Sequence, residues 1–189
     1  TYTYNKSIGE FVDKYGQYGP AGWSYGQFDH NTGNLPVTGI SWFEARAYSR
    51  YTGKKLPNLF QWLYAAGLAG FVSELPDISK SNLKSSGLRS YDDSSSVNYF
   101  GIKNIAGNVR EWVTNPQGID RNKFTILGGS YQDNTYSFNN YHSISPFDRS
   151  IGNGFRVAQH IPQTDQVSLD DYVIDYTERD ILEENDVSE

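Results

Sequence analysis

The chain has no cysteine and no methionine among its 189 residues. Without thiols there is no disulfide, no thiolate nucleophile, no zinc finger and no iron–sulfur cluster. The redox compartment stays open, because a thiol-free protein tolerates either. Thr1 is not an initiator product, so the chain reads as a processed form or a piece of a longer polypeptide. Long apolar runs are missing too. Mean hydropathy is −0.63. No stretch approaches the ~20 apolar residues that cross a bilayer, so direct membrane insertion is not expected. Hydrophobic residues make up 37% of the chain and aromatic residues 15%. Rings, more than Leu, Ile and Val, supply the apolar area.

Charge is placed unevenly. The net is −6, yet residues 164–189 hold ten acids and one base, which leaves residues 1–163 at +3. The low isoelectric point belongs to the tail. The body shows no basic footprint for nucleic acid, so no nucleic-acid partner is expected. The expected organisation is one domain over 1–163, followed by an acidic C-terminal tail or linker over 164–189.

Two helices are signposted in the body. Ser41-Trp42-Phe43-Glu44 is a capping box, and the helix it opens runs to Tyr51 and stops before Gly53. Asn58, with Gln61 three residues on, caps a second helix that covers 59–66 before Gly67. Apolar spacing puts Trp42, Ala45 and Tyr48 on one face, and Leu59, Trp62, Leu63 and Ala66 on another. The two faces are expected to meet in the core. Short strands are expected at 124–127 and 155–158. Residues 67–98 and 131–153 read as long irregular loops, and such loops are usually functional.

Several segments then read together. They are Pro36-Val37-Thr38-Gly39-Ile40-Ser41-Trp42-Phe43-Glu44-Ala45, Gly53-Lys54-Lys55-Leu56-Pro57 and Trp62-Leu63-Tyr64-Ala65-Ala66. Next come the stretch from Phe100 through Asn104-Ile105-Ala106-Gly107-Asn108-Val109-Arg110-Glu111-Trp112, then Leu127-Gly128-Gly129-Ser130-Tyr131, then Asn153-Gly154-Phe155-Arg156-Val157-Ala158. In this order and spacing the chain resembles the formylglycine-generating enzyme, or sulfatase-modifying factor, family, over roughly 11–159. It looks most similar to cysteine-free bacterial variants attached as modules to other domains, Ser/Thr kinases included. The resemblance implies an α+β, C-type-lectin-like fold with a small twisted antiparallel sheet, two main helices and much irregular structure.

The oxygenases of that family imply a reactive cysteine pair just after the Gly-Gly-Ser segment, binding copper. Here that stretch reads Gln132-Asp133-Asn134-Thr135-Tyr136-Ser137-Phe138, and a soft metal needs thiolate ligands. Neither copper nor iron is expected. His30, His142 and His160 are far apart and form no metal-ligand spacing. The segment that survives resembles the family's calcium site. Asn104 and Glu111 would give side-chain oxygens, and Gly107 and Val109 backbone carbonyls, the hard donors that Ca²⁺ takes. Asn82 and Leu83 resemble part of a second such site. The alternative is a turn stapled by Asn and Glu side chains without an ion. Arg156 is expected to pair with Glu44 or Glu111. Trp42, Trp62 and Trp112 are expected to be core rings.

The leading expectation is a non-catalytic recognition module, a pseudoenzyme on this scaffold. Its groove would be formed by Asp133, Tyr136, Phe138, Tyr141 and His142, since Tyr, Asn and Ser are residues of adaptable binding loops. A peptide, protein or glycan would be the ligand, and a neighbouring domain is expected by fusion or association. The same scaffold resembles the hypervariable proteins made by diversity-generating retroelements. The alternative is an oxidoreductase of the sulfatase-modifying class that uses a non-cysteine metal site. A structural spacer is a third. The compartment stays open, and an extracytoplasmic part of a bacterial protein is one option.

Overall fold

Local chemistry starts both helices. Ser41 Oγ accepts the Glu44 backbone N–H, and the Glu44 carboxylate accepts the Ser41 N–H, which opens α1 at Trp42–Tyr51. Asn58 and Gln61 exchange the same pair of bonds at the start of α2, Leu59–Ala65. The computed structural model describes residues 11–13, 15–69, 76–117 and 122–159. The chain divides into two units, Thr1–Gln159 and His160–Glu189. The second, with the acidic tail, lies outside the described residues.

Four strands form one sheet. They are β1 (Arg110–Gln117), β2 (Lys123–Leu127), β3 (His142–Ile144) and β4 (Asn153–Gly154), in the order β3-β2-β1-β4. β1 pairs antiparallel with β2, and β2 antiparallel with β3, while β4 runs parallel to β1. The sheet is therefore mixed and not wholly antiparallel. The register of β1 on β2 shifts between Trp112 and Pro116. The irregularity lets a proline, which cannot donate to a ladder, sit inside the strand. The strand expected at 155–158 is displaced: β4 lies at Asn153–Gly154, and Ala158 makes an isolated bridge with Lys55.

Alternation along β1 and β2 sends neighbouring side chains to opposite faces of the sheet. Trp112 and Ile126 share one face and pack with Ile40, Trp42, Ala45 and Leu56, which carries α1. Val113 and Leu127 share the other and pack with Trp62, Ala66, Ile105 and Phe138, which carries α2. The two helix faces expected to meet are thus held apart by the sheet. Tyr48 is correspondingly exposed. The three tryptophans are core rings as expected, each with its indole N–H satisfied. Trp42 donates to the Val113 carbonyl (2.8 Å), Trp112 to the Ile40 carbonyl (2.7 Å) and Trp62 to Glu111 (2.7 Å).

Two glycines close the fold. Gly107 has φ +86°, and a Cβ there would overlap the Asn82 carbonyl, so only glycine lets the 104–109 turn lie against the 82–85 segment. Gly128, at φ +90°, passes beneath the Trp62 ring as the chain leaves β2. No helix among the described residues is long and apolar enough to cross a membrane.

Candidate functional site

The segment after β2 is held by backbone before any side chain acts. Gly128 accepts the Gly107 N–H (2.8 Å), and the Tyr131 N–H donates to the Asn108 carbonyl (3.0 Å). The Ser85 N–H donates to Tyr131 (2.7 Å) and the Lys84 N–H to Asp133 (2.7 Å). The 131–133 stretch is thereby clamped between the 82–85 segment and the 104–109 turn. A short 3-10 helix, Thr135–Asn139, then leads to β3.

Asp133 lies where this clamp ends. Its Oδ2 accepts the Ser130 N–H (2.7 Å) and Oγ–H (2.9 Å), and its Oδ1 accepts Arg110 Nη2 (2.5 Å). Burial alone would raise its pKa. The bonds from Ser130 and the Arg110 guanidinium outweigh that, and the carboxyl sits below the usual 3.8. A depressed carboxylate pKa contributes stability that is fully present above the unfolded value and is lost as pH falls through the lower folded one. The pair is therefore intact at neutral pH.

Beside it, on the face of the sheet that carries α1, lies a groove of about 230 Å³. Arg110 and Asn153 line one end, His142 and Ile144 of β3 the other, with Asp148 and Ser150 on the loop that leads to β4. Of the residues expected in a groove, His142 lines it. Asp133 does not line it but fixes Arg110, which does. Tyr136 and Tyr141 are exposed and lie outside its lining. Phe138 needs correction. It is 2% exposed and packs against Trp62 in the core (centroids 6.3 Å apart), because the 3-10 turn points it inward. Arg110, Asp148 and Asn153 were not anticipated. They converge from β1, a loop and β4, and no sequence spacing announces that.

The turn at 104–111 carries a second polar cluster. Glu111 is 3% exposed. Its Oε2 accepts Arg156 Nε (2.6 Å) and Trp62 Nε1 (2.7 Å), and its Oε1 accepts Arg156 Nη2 (2.6 Å). Of the two partners expected for Arg156, Glu111 is the one it takes. Burial would lower the Arg156 pKa, but the Glu111 carboxylate more than offsets it and keeps the guanidinium charged. Glu44 pairs instead with Arg149 (3.2 Å). Asn104 has φ +52°, and its buried Oδ1 has no hydrogen-bond partner. The Gly107 carbonyl accepts the Val109 N–H (2.9 Å). Asn82 is used structurally. Its amide donates to Gly87 (3.0 Å) and to Asn108 Oδ1 (2.9 Å), and its oxygen accepts the Ser85 hydroxyl (2.5 Å). No group of three or more His, Asp or Glu able to hold a metal gathers among the described residues. An ion at the 104–111 turn would rest on amide and carbonyl oxygens with one carboxylate.

Comparison with known proteins places this arrangement. Residues 5–161 match the sulfatase-modifying factor enzyme 1-like domain. A formylglycine-generating enzyme of Streptomyces coelicolor is 31% identical over 169 residues, covering 66% of this chain and 52% of the relative. An inactive C-alpha-formylglycine-generating enzyme 2 of Bos taurus is 28% identical over 150 residues, covering 66% and 50%. The chain thus spans about half the length of these curated relatives. A serine/threonine-protein kinase Pkn1 of Chlamydia trachomatis is 38% identical over 85 residues, 41% of this chain and 13% of the kinase. Among solved structures, CarF superposes with a TM-score of 0.56 at 21% identity, covering 71% of this chain and 70% of its own. Treponema denticola variable protein 1 gives 0.53 at 16% identity, covering 79% and 77%. These likenesses bear on the fold alone, which is α+β and lectin-like with two helices, a small mixed sheet and much irregular structure. On the match across residues 5–161, the chain belongs to the sulfatase-modifying factor enzyme 1-like family.

Proposed function

We propose that this domain is a non-catalytic recognition module that holds an extended polypeptide in the groove beside β3. The observation that carries the reading is Asp133. The stretch where the family's oxygenases place reactive cysteines holds a carboxylate here, bonded to Arg110 and Ser130. Asp133 can neither bind a soft metal as thiolate does nor act as a sulfur nucleophile. Among the described residues nothing covers the groove next to it, and β3 is an edge strand whose outer backbone can pair with an added strand. The existence of inactive relatives is compatible with this role. The test incubates the protein with a cysteine-containing peptide, copper and oxygen, and follows peptide mass and dissolved oxygen. Copper alone oxidises thiols to disulfides in air, so the expected result is a peptide mass change and an oxygen uptake no greater than in the same mixture without the protein. Conversion of the cysteine beyond that background would overturn the proposal.

The same reading gives the domain a structural calcium ion at the 104–111 turn, as the family resemblance implies. Two features of the residues fit a hard cation. Asn104 Oδ1 is buried and unpartnered, and Glu111 Oε1 accepts a single hydrogen bond and keeps a lone pair. Bound calcium would give the orphan oxygen a partner and tie the turn. The melting temperature is expected to rise on adding millimolar CaCl₂ after EDTA treatment, and Asn104→Ala is expected to abolish that rise. An equal melting temperature with CaCl₂ and with EDTA would remove calcium from the account.

A further inference from the structure

We infer that the groove reads a cationic side chain, a lysine ammonium or an arginine guanidinium, through Asp148. The inference rests on the groove being a polypeptide site, and it adds the chemistry that the site selects.

Charge around the groove leads to it. Arg110 lines the groove, but Asp133 neutralises it from behind at 2.5 Å. Arg149, next to Asp148 in sequence, turns inward. Its side chain is 1% exposed and is neutralised by Glu44. It also donates to the carbonyls of Phe11, Gln17, Gly19 and Gly39. The remaining titratable group on the lining is His142, on β3. Among the described residues Asp148 is left as the uncompensated charge.

The geometry of Asp148 suits that role. Its Oδ1 accepts the Ser150 N–H (2.9 Å) and Asn153 Nδ2 (2.7 Å), which fixes the rotamer of the carboxylate. Among the described residues nothing donates to Oδ2. A half-buried carboxylate with one oxygen anchored and the other open is preorganised for an incoming N–H donor. Ile126 and Ile144 supply apolar wall on the same lining. A long aliphatic stem can lie along it while its charged head reaches the carboxylate. An acidic side chain would meet Asp148 as a like charge, and a purely apolar one would leave Oδ2 desolvated and unpaired.

The experiment uses the full chain and four acetylated, amidated heptapeptides that differ only at the central residue, which is Lys, Arg, norleucine or Glu. Binding is followed by amide chemical-shift titration, read at Ile126, Ile144 and Asn153. The Lys or Arg peptide is expected to bind about tenfold more tightly than the norleucine peptide, and the Glu peptide more weakly than norleucine. Whichever of Lys and Arg binds tighter identifies the cation. Asp148→Asn keeps an oxygen for Ser150 and Asn153, and is expected to bring the cationic peptides down to the norleucine affinity. The wild-type chain provides a second readout that needs no variant. Raising NaCl from 50 to 500 mM is expected to weaken the cationic peptides and leave norleucine unmoved. Equal binding of all four peptides, or a cation preference that survives both Asp148→Asn and high salt, would overturn this inference while leaving the groove as a polypeptide site. If no peptide shifts groove resonances, the groove reading itself falls, and this inference with it.

Discussion

Replacing Arg149 with alanine is expected to lower the unfolding free energy by about 3–5 kcal/mol, the cost of breaking a buried ion pair by removing one partner. No other described side chain ties together so many separate segments. The guanidinium sits between Glu44 of α1 and the carbonyls of Phe11, Gln17, Gly19 and Gly39. Its removal would leave the Glu44 carboxylate with the Ser41 cap alone and take this donor from the Phe11, Gly19 and Gly39 carbonyls, while Gln17 keeps the Asp13 N–H. The loss is expected to show first at the amino-terminal end. Phe11 is held there by the Arg149 bond and by ring contacts with Phe43 and Phe147 at 6.1 and 5.7 Å. Chemical denaturation of the variant, with amide exchange at residues 11–19, measures both effects. Arg149→Lys is expected to recover only part of the loss, because one ammonium cannot reach acceptors spread across a planar fork. A variant within 1 kcal/mol of the parent would show that these carbonyls are not held by this residue.

The second large effect is expected at Glu111. Glu111→Ala should destabilise by about 3 kcal/mol, the lower end for a broken buried pair, since the Arg156 partner retains some access to water. The carboxylate joins three elements. It starts on β1, caps the Trp62 indole of α2 and takes both arms of Arg156 beyond β4. For a domain of this size the loss corresponds to a fall of roughly 6–12 °C in melting temperature. A double-mutant cycle with Arg156→Leu separates the pair from its surroundings. The double variant is expected to be more stable than Glu111→Ala alone, because it no longer carries an unpaired guanidinium. If the two single losses simply add, the pair is not coupled as its geometry indicates.

These expectations mark where sequence reading succeeded and where it stopped. Both capping boxes were legible, because each bond joins residues three apart, and both formed. The ordered motifs led to the family and the fold. The core role of the three tryptophans was also legible. β1 was not, since Pro116 and the register shift break its alternation. The pairing of Arg156 was narrowed to two acids, and only the folded chain chose between them. Phe138 belonged to a polar, aromatic-rich segment that reads as surface, yet one 3-10 turn rotates it into the core.

What the sequence determined by itself was therefore local or categorical. It set the helix starts, the exclusion of thiol chemistry and the family. Tertiary structure alone decided the rest. It placed the sheet between the helices, buried Arg149 under carbonyls from the amino-terminal segment, and silenced Arg110 with Asp133 so that Asp148 remained as the groove's charge. The physical reason is range. Caps and turns are satisfied within a few residues, whereas a buried charge takes its partner from whatever segment the fold brings near, and that segment is often more than a hundred residues away in the chain, as Arg149 is from Gly39.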